Sequence, residues 1–126
     1  MSVDVVRIVI FPRYTSFVGT GDLRSPPIDI RTFADALFVG WQGNGLGATA
    51  ATLQFTLEFS MDLTTWIGAV TFPSSPVAVT EFVQSIVLQY PWMRVKAVVT
   101  GADPGISAWL TVDLTLRRNK AAGEAA

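Results

Sequence analysis

Ten residues in the middle of the chain, Leu53–Asp62 (LQFTLEFSMD), alternate without a break between apolar and polar side chains. Leu53, Phe55, Leu57, Phe59 and Met61 fall on one side of an extended chain, and Gln54, Thr56, Glu58, Ser60 and Asp62 on the other. A helix would scatter the two sets around its circumference, whereas a strand sorts them into one dry and one wet face. Parallel sheets are covered on both faces, so a strand with one solvated face points to an antiparallel sheet. The run breaks into a polar turn and Trp66. The fold expected is all-β, an antiparallel β-sandwich and not an α/β domain.

The remaining segments fill out that sandwich to about seven or eight strands. Val3–Phe11 opens the chain and stops at Pro12. Ala34–Trp41 reads as a strand, although Phe33, Leu37 and Trp41 also suit one helical face. The glycine-rich turn Gly43–Gly47 leads into Ala50–Met61; Thr65–Phe72 follows and ends at the loop Pro73–Pro76. In Val77–Tyr90, Val79, Phe82, Val83 and Ile86 fit a helix as well, but the frequent β-branched residues favour a strand. Two clearer alternations close the pattern, Met93–Val99 and Leu110–Leu116, joined by the turn residues Gly101–Ser107 (GADPGIS). Pairing Val99 with Ala108 as a hairpin sets Val95 beside Val112 and Arg94 opposite Asp113, satisfying apolar and charge complementarity in one register.

At 126 residues the chain fits a single domain, taken as 1–117. Residues 12–32 hold Pro12, Gly19, Gly21, Pro26 and Pro27 with few periodic apolar positions, so they read as an extended arm or a long surface loop. Residues 118–126 carry no apolar pattern and read as a flexible tail. The start, MSVDVVRIVIFPRY, has Asp4 and Arg7 in a short apolar run and no basic leader, which suits a first strand and not a signal peptide. No apolar run approaches the roughly 18–20 residues that span a bilayer.

The composition argues against chemistry. Formal net charge is -1, which gives no reason to expect nucleic acid or a membrane surface as partner. There is no Cys and no His, so thiolate sites, a Ser-His-Asp triad and the usual general base are absent. The carboxylates are scattered with no spacing that singles out a catalytic pair. Gly43–Gly47 (GNGLG) is not followed by Lys-Ser/Thr and opens no helix, so it is not a phosphate cradle. Asp22, Asp29 or Asp62 are the residues to consider for a loop-stapling calcium ion, without any EF-hand spacing. The expectation is a non-enzymatic protein with no cofactor.

What the composition does favour is contact. Half of the residues are hydrophobic and only 15% are charged, against about 25% in an average soluble domain. So much apolar surface suits burial against other subunits. Four tryptophans stand at Trp41, Trp66, Trp92 and Trp109. Trp66 follows a turn and reads as a cap on the core. Trp41, Trp92 and Trp109 suit subunit interfaces, or else platforms that stack on sugar rings.

The order Phe59-Ser60-x-Asp62-x-x-Thr65-Trp66, then Tyr90-Pro91-x-x-Arg94-Val95, then Thr100-Gly101-x-x-Pro104 resembles the small β-sandwich, jelly-roll-like virion proteins of tailed bacteriophages. The resemblance covers about residues 33–117, and the Ser-x-Asp corner with its Trp recurs in other jelly-roll domains, carbohydrate-binding ones included. It implies a capsid decoration (cement) protein that binds across neighbouring capsid subunits and stabilises the particle. The partners implied are the major capsid protein and copies of the chain itself, as a homotrimer or homodimer, on a virion made in host cytoplasm. Under this reading residues 12–32 form the docking arm, and the candidate contact residues are Arg13, Tyr14, Arg24, Pro26, Pro27, Arg31, Trp41, Trp92 and Trp109. The alternatives are a carbohydrate- or receptor-binding module on the virion surface, or a tail or baseplate assembly protein.

Overall fold

The structure is a computed structural model that describes residues 5–43, 52–72, 80–101 and 105–117. Among these residues there is no helix. The strands in chain order are β1 (Val5–Val18), β2 (Gly21–Arg24), β3 (Ile28–Asp29), β4 (Phe33–Gln42), β5 (Thr52–Ser60), β6 (Ile67–Phe72), β7 (Thr80–Val87), β8 (Trp92–Thr100) and β9 (Gly105–Leu116). One sheet has the order β1-β9-β4-β7 and the other β2-β8-β5-β6, with β3 also on β8. Every pairing is antiparallel.

β2 and β3 lie one after the other along β8, Gly21 opposite Val99 and Ile28 opposite Met93. They act as one interrupted strand, which brings the sandwich to eight. The chain then changes sheet at every connection except β5 to β6, and this interleaving is the order of a jelly roll. The sandwich expected from the alternating pattern is the fold observed.

Inward residues of the two sheets meet in a core rich in phenylalanine. Phe55, fully buried on β5, lies 5.6 Å from Phe11, 6.0 Å from Phe17, 5.9 Å from Phe82 and 6.2 Å from Phe72 by ring centroids. Phe38 of β4 sits 5.3 Å from Phe72 of β6. Rings at these separations gain edge and offset contacts beyond the area they bury. Leu57, Val95, Leu110, Val112 and Leu114 fill the space around them and are likewise fully buried.

The segment expected to be an arm or long loop is instead part of the sandwich. β1 runs on past Pro12 to Val18 because Pro12 falls in an irregularity: Phe11 pairs with Leu110 and Thr15 with Ala108, so three residues of β1 span the single Trp109. A bulge is where a strand tolerates a residue without an N–H. The Thr15 hydroxyl donates to the Pro12 carbonyl at 2.5 Å and closes it. A second device carries the chain from β2 to β3. Ser25 N–H donates to the Val95 carbonyl at 2.8 Å, and Val95 N–H donates to Ser25 Oγ at 2.9 Å. The side-chain hydroxyl replaces the main-chain acceptor just where Pro26 and Pro27 end the ladder. Prolines that looked like the mark of an irregular segment are absorbed by these two local substitutions.

The expected hairpin of β8 with β9 does not form. The two strands belong to opposite sheets; Arg94 pairs across strands with Glu58, and Asp113 with Arg7. Alternation reports which side of a strand is dry, and that side is the same whether two strands are hydrogen-bonded or face each other through the core. β4 and β7, whose spacing also allowed helices, are strands. Most of the turn 43–47, the loop 73–76, residues 102–104 and the tail 118–126 lie outside the described residues.

Phe55 touches rings from both sheets, so its removal should be costly. Phe55→Ala is expected to lower unfolding stability by about 3–5 kcal/mol, read as a shift of the denaturant midpoint at unchanged slope. A loss below about 1 kcal/mol would show that the seam repacks without it.

Candidate interaction surface

The jelly roll leaves two broad outer faces, and they differ in chemistry. On the β2-β8-β5-β6 sheet the outward residues of β5 and β8 are mostly polar (Thr52, Gln54, Thr56, Glu58, Arg94, Lys96 and Thr100), with Trp92 and Val98 as the apolar members, around a central carboxylate. Glu58, only 8% exposed, accepts from Arg94 Nε at 2.7 Å, with Lys96 at 3.8 Å and Arg24 at 3.9 Å. The Arg94 guanidinium also lies 4.0 Å from the centre of the Trp66 ring. Three cations around one nearly buried carboxylate satisfy both sides of the desolvation problem. Trp66 therefore packs on a charge network and not simply over the core.

Beside it, the corner after β5 is closed by its own side chains. Asp62 accepts from the N–H groups of Thr64 and Thr65, both at 2.9 Å, while Ser60 Oγ accepts from Leu63 N–H at 2.8 Å. Leu63 is held at φ 67°, a left-handed conformation that these bonds stabilise. The Ser-x-Asp corner is a structural device. Its hydrogen bonds, those from Thr65 and Thr64 first, hold the Asp62 carboxyl below the ordinary carboxylate range. The Arg31 guanidinium does the same to Asp29, at 2.5 Å, and Arg7 to Asp113.

The outer face of the β1-β9-β4-β7 sheet is of the other kind. Cross-strand register lays its outward residues in rows. One row is Val9, Thr111, Val39 and Val83; the next toward the end of the sheet is Trp109, Trp41 and Glu81, with Arg13 from the β1 bulge 4.9 Å from the centre of the Trp109 ring. Val83 is 65% exposed, Val87 67% and Val9 54%. Toward the other end, Arg7 binds Asp113 through two hydrogen bonds of 2.7 and 3.0 Å. Trp41, Trp109, Arg13, Glu81 and Ser107 line an open cleft of about 660 Å³. Exposed Val9 and Val83, with half-buried Val39 between them and paired tryptophans beside them, are the surface chemistry of a contact site. Close approach shapes it: a Cβ on Gly43 would stand 2.8 Å from the Trp41 ring.

The expected contact residues separate accordingly. Arg13, Trp41 and Trp109 come together on the apolar face. Arg24 belongs to the Glu58 network, and Arg31 pairs with Asp29 while lying 5.4 Å from the centre of the Trp92 ring, all on the opposite sheet. Pro26 and Pro27 are exposed at the junction of β2 and β3. The Tyr14 side chain lies outside the described residues. Asp22, considered for calcium, sits 3.8 Å from Arg24. Among the described residues no three acidic, His or Cys side chains gather as a metal site. Sequence reading did not single out Val9, Val39, Val83 and Glu81 as contact residues; for Val9 the available signal was the near-continuous apolar run of β1, which puts apolar residues on both of its faces.

No family description matches the sequence, and no curated protein does. Solved structures with a similar fold include the PBSX exported protein XepA, at 12% identity and TM-score 0.61 over 90% of this chain and 38% of that one. The infectious bursal disease virus Gx strain structure is similar at 14% identity and TM-score 0.54, over 89% of this chain and 32% of the other. The infectious bursal disease virus VP2 subviral particle follows at 13% identity and TM-score 0.54, over 90% and 32%.

Two predictions follow from the charge-bearing side chains. Asp29, Asp62 and Asp113 have folded values below their unfolded ones, so their contribution is complete above about pH 4, the unfolded carboxyl value, and is lost as pH falls through the folded values. The melting temperature should therefore be flat near neutrality and fall on acidification, with a shallower fall for Asp62→Asn. Glu58→Gln removes the anion from three cations and is expected to cost about 1–3 kcal/mol. A change within about 0.5 kcal/mol would mean solvent already screens the cluster.

The chain spans about a third of the length of each of these proteins, and the likeness is one of fold.

Proposed function

We propose that this protein is a non-enzymatic structural component of a virus particle, a capsid decoration protein that binds across neighbouring capsid subunits and stabilises the shell. The observation that carries the reading is the asymmetry of the sandwich. One outer face is built on Thr pairs and the Glu58 charge network, while the other exposes Val9, Leu37, Val83 and Val87 beside Trp41 and Trp109. A protein that works by contact needs one such face on a rigid body and no catalytic constellation. The fold's likeness to a viral subviral-particle protein and to XepA supports a virion setting. In this reading the partners are the major capsid protein and further copies of the chain.

A second reading is carbohydrate or receptor binding at the Trp41–Trp109 cleft, where Glu81 and Ser107 stand beside the rings. Aromatic faces stack on pyranose rings and carboxylates accept from sugar hydroxyls. Against it, the Arg13 guanidinium already occupies a face of Trp109.

The experiment is deletion and add-back. Particles assembled without the protein should form but rupture at lower temperature, and purified protein should bind them at a fixed ratio and restore the transition. Particles of unchanged stability that never take up the protein, together with glycan binding that Trp41→Ala abolishes, would replace this reading by the second.

A further inference from the structure

We infer that the outer edge of β7 is an interface with a second copy of this chain, the two β7 strands pairing antiparallel about a two-fold axis that passes through the sheet at Gln84. The inference rests on the contact-protein reading above and names one partner and the strand that meets it.

The described sandwich has its edges at β1 and β7 in one sheet, and at β2–β3 and β6 in the other. An edge strand presents a row of unpaired N–H and C=O groups, and natural sheets blunt it with prolines, bulges or breaks. β1 has Pro12 and two irregularities, at Val9–Phe11 and at Phe11–Thr15. β2 and β3 are broken apart around Pro26 and Pro27. β6 is short and carries an extra residue, Ala69, between its pairings with Leu57 and Glu58. β7 has none of these devices: Thr80–Val87 lies along β4 in one unbroken register, without proline or lysine.

One bond shows which groups this edge offers. Leu88 N–H donates to the Ala34 carbonyl at 2.8 Å, so even-numbered residues of β7 bond to β4 and odd-numbered ones turn their backbone groups outward. Val83, Ser85 and Val87 are thus open to a further strand. Among the described residues, the Gln84 side-chain amide reaches the Ser85 carbonyl at 3.4 Å, at the limit of a hydrogen bond.

The side chains select the partner and the register. Phe82 and Ile86 pack inward against the core, with half-buried Gln84 between them. Only registers that set odd residues against odd ones join the outward groups. The register centred on Gln84 sets Phe82 against Ile86 of the second copy, Gln84 against its Gln84, and Val83 against its Ser85. Apolar meets apolar, the two amides exchange hydrogen bonds, and the two Glu81 residues stand at opposite ends. Centring the pair on Val83 or Ser85 instead sets Gln84 against Phe82 or Ile86 and buries its amide without a partner. A strand that complements itself is what a closed two-fold contact requires.

The test is sedimentation equilibrium on the full chain, with circular dichroism confirming that each variant folds. The wild type should be a dimer. S85P removes an outward N–H, spares the bonds to β4, and should give a monomer. Q84E and Q84K should each weaken dimerisation at least tenfold, because the axis sets each charge against itself. An equimolar mixture of the two should form a heterodimer within about threefold of the wild-type affinity. A wild-type monomer at millimolar concentration, a trimer, a folded S85P that dimerises like the wild type, or a mixture no tighter than its components would overturn the pairing. A wild-type monomer whose uptake by particles is abolished by S85P would give this edge to a capsid strand and overturn the pairing with itself. A monomer that binds particles and restores their stability whether or not it carries S85P would overturn this interface alone and leave the structural role standing. An S85P-sensitive dimer that never joins a particle would do the reverse.

Discussion

The rest of the fold depends on the contact of Phe55 with rings from both sheets. Sandwich strands are held in their own sheet by backbone hydrogen bonds, but nothing of that kind joins one sheet to the other. The joining is done by inward side chains, and here by aromatic ones: Phe11, Phe17 and Phe82 come from one sheet and Phe55 and Phe72 from the other. Large rings let few side chains span the roughly 10 Å between layers. They also set the register, since a slip of one residue would turn Phe55 and Leu57 into solvent.

Once the sheets are so joined, each has one outer face left to dispose of, and the sequence treats them differently. The β5–β8 side uses hydroxyl pairs, such as Thr56 with Thr71 at 3.2 Å, and the Glu58 cluster to make a surface content in water. The β4–β9 side keeps Leu37, Val39 and both tryptophans outward. A face of that kind is stable in water only at the cost of exposed apolar area, which a partner would remove.

The sheet class could be read from the chain because Leu53–Phe59 alternates and its apolar members Leu53, Phe55, Leu57 and Phe59 are all buried, although the pattern misleads past them: Ser60 is buried and Met61, beyond the end of β5, is exposed. Pairing could not, because burial is shared by strands that hydrogen-bond and strands that merely face each other; Arg94 and Asp113 looked like partners and each has another. The role of residues 12–32 was hidden by the prolines. Pro12 is accommodated by a three-against-one bulge and Pro26 by the Ser25 hydroxyl, neither of which leaves a period in the sequence. At the site, Trp41 and Trp109 were visible as unusual residues, and their being side by side was not. That adjacency needs β4 to lie against β9, a pairing between segments more than sixty positions apart.

The interleaved strand order has a consequence for how the molecule comes into being. β9 comes after every other described strand in chain order, yet it is an inner strand of its sheet, flanked by β1 and β4. Until it has been synthesised and has cleared the ribosome, β1 has no neighbour to bond with and β4 is paired on one side only. Only β5 and β6 can associate as a local hairpin beforehand. Contacts that close such long loops form slowly. The nascent chain therefore carries β1 without a ladder partner, its backbone groups open to water, until β9 arrives to close the sheet.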